Sequence, residues 1–117
     1  MELCNISVIK RLMEEANISF RKEFGQNFLI NRMIPEDIAD NCTDEEESLI
    51  LEIGPGIGCL TQELAMRYKK VLAVEIDKGL IPVLDKTLAE FDNVSVVNED
   101  IMESDIQGLI DEHSDGM

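Results

Sequence analysis

The stretch LEIGPGIGCLTQEL, residues Leu51 to Leu64, sets three glycines and a proline between an apolar run and a segment of helical composition. Glycine lets a backbone turn tightly and come close to another surface, because it has no side chain to obstruct either. A strand that ends in such a turn and feeds a helix is the unit from which α/β sheets build ligand sites, beyond the carboxyl ends of their strands. The fold therefore turns on whether the unit repeats.

It does repeat. SLILEI (48–53), KVLAVEI (70–76) and NVSVVNE (93–99) are apolar runs of strand length, and residues 59–68, 78–91 and roughly 104–113 between and after them have helical composition. Three βα units in succession predict an α/β fold with a parallel, doubly wound sheet and right-handed crossovers. The residues with chemical potential stand at the strand ends: Gly54 to Gly58 after the first strand, Glu75 and Asp77 after the second, Glu99 and Asp100 after the third.

The preceding residues, 1–47, read differently. Ile6, Ile9, Leu12, Met13 and Ala16 recur at helical spacing, with Asn5 or Ser7 as the cap. ISFRKEFGQNFLI (18–30) has no clear period, is interrupted by Gly25, and predicts a structured loop. Residues 31–41 predict a helix with Asn31 as cap and Pro35 in its first turn, followed by an exposed acidic loop at CTDEEES. The division is thus an N-terminal region, 1–47, and the first half of a sheet domain, 48–117.

Composition excludes several classes. The chain has 117 residues, 44% apolar and 30% charged, which is a globular balance with room for one core. No run of ~18 uncharged apolar residues is present, and Lys10 and Arg11 with neighbouring acids disrupt a signal-peptide pattern, so no membrane association and a cytoplasmic location are expected. Cys4, Cys42 and Cys59 are widely spaced without a CxxC pair, which predicts reduced, mostly buried thiols and no metal site. The net charge of −15 argues against nucleic-acid binding by the whole surface. Residues 1–35 nevertheless hold five basic and four acidic groups, so local phosphate contacts fall to Arg21, Lys22 and Arg32.

The ligand class follows from what surrounds the glycines. A dinucleotide fingerprint starting at Gly54 requires a glycine at position 59, which is Cys59. IGPGIGCL also offers no basic or hydroxyl group to a pyrophosphate before Thr61. An adenosyl ligand without phosphates suits it better. Glu75, 21 residues after Gly54, is placed to accept hydrogen bonds from both ribose hydroxyls, and Asp100 from an adenine amine. The plainer alternative, glycines that only turn the chain and acids that only cap helices, is weakened by the occurrence of all three at successive strand ends.

FGQNFL (24–29), LEIGPGIGCLT (51–61), AVEID (73–77) and NEDIMESD (98–105) resemble, in order and spacing, the motifs of the ribosomal RNA adenine N6,N6-dimethyltransferases. RKEFGQNFL looks most like the members that methylate two adjacent adenines of 16S rRNA in the immature small ribosomal subunit. The erythromycin-resistance enzymes acting on 23S rRNA are the alternative within the family; a small-molecule methyltransferase and a nucleotide-binding module without catalysis are alternatives outside it. The resemblance implies a Rossmann-like class I S-adenosylmethionine-dependent methyltransferase fold, truncated after about three βα units.

By this resemblance the cofactor is S-adenosyl-L-methionine. Asn27 and Leu29 would close over its methionine end, Gly54 would lie against it, Glu75 would hold the ribose, Asp100 the adenine amine, and Ile76 and Ile101 the faces of the ring. Gly56 and Gly58 would keep the loop open, and Gln26 and Phe28 read equally well as packing groups. The family's Asn-Leu-Pro-Tyr segment, which holds the target adenine, is not among these residues, and neither is its small helical RNA-binding domain. No catalytic residue is therefore assigned, His113 is expected to be solvated, and this chain alone is expected to be inactive. SLILEI, apolar on both faces with only Glu52 as a guard, is expected to form an open edge that promotes self-association.

Overall fold

The computed structural model describes Leu3, residues 6–15 and residues 33–114. Helix α1 (Ile6–Glu15) precedes α2 (Met33–Asp40), and three βα units follow: β1 (Leu49–Ile53), α3 (Cys59–Arg67), β2 (Lys70–Glu75), α4 (Ile81–Thr87), β3 (Val94–Asn98) and α5 (Ile106–His113). The strands form one parallel sheet in the order β1-β2-β3, with Leu51 opposite Leu72 and Val74 opposite Val97. This is the architecture expected from the repeated strand–helix pattern.

Burial explains the strand compositions. β2 is central, and Val71 to Glu75 are all buried, as a strand covered on both faces requires. On one face Val71 joins Ala39 of α2 with Leu64, Ala65 and Tyr68, and half-buried Ile50 and Val94 pack against them. On the other, Leu72 and Val74 meet Leu109 of α5, with Leu49, Leu51 and Val97 half-buried around them. Among the described residues β1 pairs only with β2, and its last residue, Ile53, is 58% exposed.

Two side chains tie the helices to the sheet. The Tyr68 hydroxyl donates to the carbonyl of Ala39 at 2.7 Å, and Asn93 donates to the carbonyls of Ala65 and Tyr68 at 2.9 and 3.0 Å. Helix α1 buries Ile9, Leu12 and Met13 against Ile57, Cys59 and Val83, so it covers the loop after β1 as well as α4. Lys86 and Glu15 close that contact with an exposed ion pair at 2.7 Å.

Local chemistry corrects some boundaries. The single helix expected over 78–91 is a short 3-10 turn, Lys78–Leu80, followed by α4. Asp77 starts the turn by accepting from Gly79 N–H at 2.9 Å, and Pro82, which has no N–H to donate, stands in the first turn of α4. α4 stops at Thr87, whose carbonyl accepts from Gln62 Nε2 at 2.7 Å. α5 starts at Ile106 because Asp105 caps it through Gly108 N–H at 3.1 Å. The helix predicted over 31–41 spans 33–40 of the described residues, and the loop predicted over 18–30 lies outside them.

Candidate functional site

The loop after β1 is built on three left-handed glycines, Gly54 (φ 70°), Gly56 (φ 62°) and Gly58 (φ 97°). Gly54 N–H extends the ladder by donating to the carbonyl of Val74 at 2.9 Å, and Gly58 N–H closes a turn on the carbonyl of Pro55 at 3.0 Å. A β-carbon at Gly54 or Gly56 would meet nothing within 4 Å, so their faces are open to a ligand. Gly58 corrects the expectation that it keeps the loop open. A β-carbon there would stand 2.8 Å from Thr87 Oγ1, so this glycine lets α4 pack against the loop.

Glu75 ends β2 and is only 5% exposed. Its Oε1 accepts from Gly56 N–H at 3.3 Å and its Oε2 from Asp77 N–H at 2.9 Å. Each carboxylate oxygen keeps acceptor capacity beyond that one bond, so the group is fixed in place and able to accept two hydroxyls. The neighbouring Ile76 is 65% exposed and leaves an apolar surface at the strand end.

After β3, Asp100 Oδ1 accepts from Met102 N–H at 3.0 Å, so this acid has part of the capping role of the plainer reading. Ser104 Oγ lies 3.0 Å from Glu99 Oε1 and 2.9 Å from the carbonyl of Asp100, so its one proton is shared between two acceptors that hold the turn. Ile101 is half-buried against the core of Leu72, Val74 and Leu109. A cleft of about 100 Å³ opens between these strand ends, lined by Ile53, Gly54, Val74, Ile76, Glu99, Asp100 and Ile101. The structure thus assembles Gly54, Ile76, Asp100 and Ile101 around one cleft, with Gly56 and Glu75 hydrogen-bonded to each other beside it. Asn27 and Leu29, like Gln26, Phe28, Arg21, Lys22 and Arg32, lie outside the described residues.

Sequence reasoning misjudged Glu52. Expected to guard an exposed edge, it is 9% exposed and accepts a hydrogen bond from the hydroxyl of Thr61, itself buried. Burial pushes its pKa up to about 7; the Thr61 hydrogen bond acts in the opposite sense and the charge of Glu75 in the same sense as burial. An acid inside the run LILEI was the signal, since burying a carboxylate demands a partner or a proton. The remaining polar candidates are peripheral. His113 is half-buried, with Nδ1 at 2.8 Å from the carbonyl of Leu109; Cys59 is buried and Cys42 exposed. Among the described residues no cluster of three or more His, Cys, Asp or Glu is arranged to hold a metal, and no helix is long and apolar enough to cross a membrane.

Among the described residues, Glu99 and Asp100 line the cleft without a basic side chain beside them, and apolar Ile53, Ile76 and Ile101 flank it. This described lining favours a cationic ligand over an anionic one. A second cavity of about 440 Å³, lined by Asp40, Asp44, Glu46, Arg67 and Tyr68, lies away from the strand ends, and its Arg67 is already paired to Asp40 at 2.6 Å and Glu63 at 3.0 Å.

Comparison with known proteins places the chain in a family. The model of the family described as ribosomal RNA adenine dimethylase matches residues 17–116. Ribosomal RNA small subunit methyltransferase A of Bacillus licheniformis is 45% identical over 103 residues, which cover 88% of this chain and 35% of the relative. The chain thus spans about a third of the length of that relative. Among solved structures, the 23S rRNA methyltransferase ErmE superposes with a TM-score of 0.61 and 31% identity, covering 74% of this chain and 42% of that one. A dimethyladenosine transferase from Plasmodium falciparum superposes with a TM-score of 0.57 and 29% identity, covering 63% and 28% respectively.

Proposed function

Since the chain belongs to the ribosomal RNA adenine dimethylase family, we propose that it is the S-adenosylmethionine-binding portion of an adenine N6,N6-dimethyltransferase. Its substrate is 16S rRNA, at two adjacent adenines of the immature small subunit in the cytoplasm. The observation that carries this reading is the cleft lined by Gly54, Ile76, Asp100 and Ile101, with Glu75 held beside it by Gly56 N–H. The relative named for the small subunit, at 45% identity, favours 16S rRNA over the 23S rRNA that the name of ErmE, at 31%, brings in.

When bound, S-adenosylmethionine would supply an electrophilic methyl group, whose bond to sulfur breaks as an adenine nitrogen bonds to its carbon, with S-adenosylhomocysteine as the leaving group. This chain's residues contribute position and field. Glu75 would hold the ribose through its carboxylate, Asp100 would accept from the adenine amine, and Ile76 and Ile101 would shield the ring from water. The backbone at Gly54 lets the methionine end lie close to the sheet. The acidic residues at the strand ends favour the positive sulfonium over a neutral or anionic ligand. We assign these 117 residues the cofactor-binding part of the reaction. Among the described residues β1 pairs on one side only, which favours self-association of the chain.

Calorimetric titration with S-adenosylhomocysteine and, separately, with NAD tests the reading. Saturable binding of the first alone is expected. Binding of NAD without S-adenosylhomocysteine would overturn it.

A further inference from the structure

One peptide unit at the cleft is held from both sides. The N–H of the Ile76–Asp77 peptide is bound by Glu75 Oε2, at 2.9 Å. The carbonyl of the same peptide accepts from Asn98 Nδ2 at 3.3 Å, and that nitrogen also donates to the carbonyl of Glu75 at 2.8 Å. Both partners of Nδ2 are carbonyl oxygens, which only accept, so the amide nitrogen must face them. Asn98 stands opposite Glu75 in the parallel register, at the last residue of β3, where the chain of β2 leaves the sheet.

We infer that Asn98 is a positioning residue: it fixes the Ile76–Asp77 peptide, which in turn fixes the carboxylate of Glu75 toward the bound nucleoside. The inference rests on the cofactor reading for its ligand, but its geometry is a property of the free chain. The ladder alone holds the Glu75 carbonyl through Glu99 N–H at 3.2 Å. The Ile76 carbonyl lies one residue past the paired register, and Asn98 is the donor that reaches it. Without Asn98 that peptide is free to rotate, and Asp77 N–H turns with it away from Glu75. Asn98 is itself exposed and packs no core, so its removal acts on the strand end and not on the body of the sheet.

A double-mutant cycle with Asn98→Ala and Glu75→Ala tests this on the 117-residue chain. Asn98→Ala is expected to weaken S-adenosylhomocysteine binding by roughly five- to tenfold. In the Glu75→Ala background the same change is expected to cost nothing further, since there is no carboxylate left to position. Equal losses in both backgrounds would show a general loosening of the strand end and overturn the inference. Amide exchange of the ligand-free chain supplies a second readout: Asp77 N–H should exchange roughly fivefold faster in Asn98→Ala. Unchanged exchange at Asp77 also overturns it. If the wild type does not bind S-adenosylhomocysteine, the cofactor reading fails while the exchange result still decides the role of Asn98. Asn98→Ser, with one short donor, replaces the alanine variant if the latter does not fold.

Discussion

The main-chain N–H of Gly56 donates to Glu75 Oε1 across 3.3 Å, so the loop after β1 and the acid that ends β2 act as one unit. Glu75→Ala removes both the acceptor for the ribose and the tether of the loop. It should weaken S-adenosylhomocysteine binding by ~1 to 3 kcal/mol, as expected when charge-assisted hydrogen bonds are lost. Isothermal titration at fixed pH measures this, and an unchanged affinity would remove Glu75 from the site.

Glu52 should make stability fall as pH rises. Its folded pKa of about 7 lies above the ordinary carboxyl value of 4.5, so between those values the folded chain keeps a proton that the unfolded chain releases. Its contribution is complete below pH 4.5 and is lost as pH rises through 7, on the order of 3 kcal/mol in all. Glu52→Gln keeps an acceptor for Thr61 and has no proton to lose. Urea denaturation of both proteins from pH 4.5 to 8 should show the wild type declining relative to the variant; parallel curves would refute the assignment.

Gly58 and Gly56 should respond differently to alanine. At Gly58 the new β-carbon meets Thr87 Oγ1 at 2.8 Å and the backbone is left-handed, so the loss should be about 2 to 4 kcal/mol. Thr87 Oγ1 is buried without a hydrogen-bond partner, and adding Thr87→Ala should return part of that loss. At Gly56 there is room, and only the φ penalty of ~1 to 2 kcal/mol applies. Similar losses at both positions, read from denaturation midpoints, would count against packing at Gly58.

Self-association through β1 should strengthen with salt, because a net charge of −15 opposes it at low ionic strength. Sedimentation velocity at ~100 µM in low and high salt discriminates, the lower salt leaving exposed charges the less screened. A strictly monomeric, folded species under both conditions would defeat the proposal.

The fold was legible because β2 is buried on both faces, so KVLAVE had to be a continuous apolar run, and because a left-handed backbone after β1 had to be glycine. Gly58 was misread since a glycine demanded by a ligand and one demanded by a neighbouring helix leave the same letter. Glu52 was misread since alternation along a strand does not reveal that α3 would cover its face. Asn98 passed unnoticed because an amide at a strand end is ordinary until the two carbonyls it bridges are known.

The strand order has a consequence for how the chain becomes structured during synthesis. Each strand pairs with the one made just before it, so β2 docks on β1 and β3 on β2 once about twenty further residues have emerged. Among the described residues no strand waits for a distant partner, and none is threaded between two already in place. The described strands pair in the order in which they are made, and the three strand ends beside the cleft arrive in the order in which they are translated.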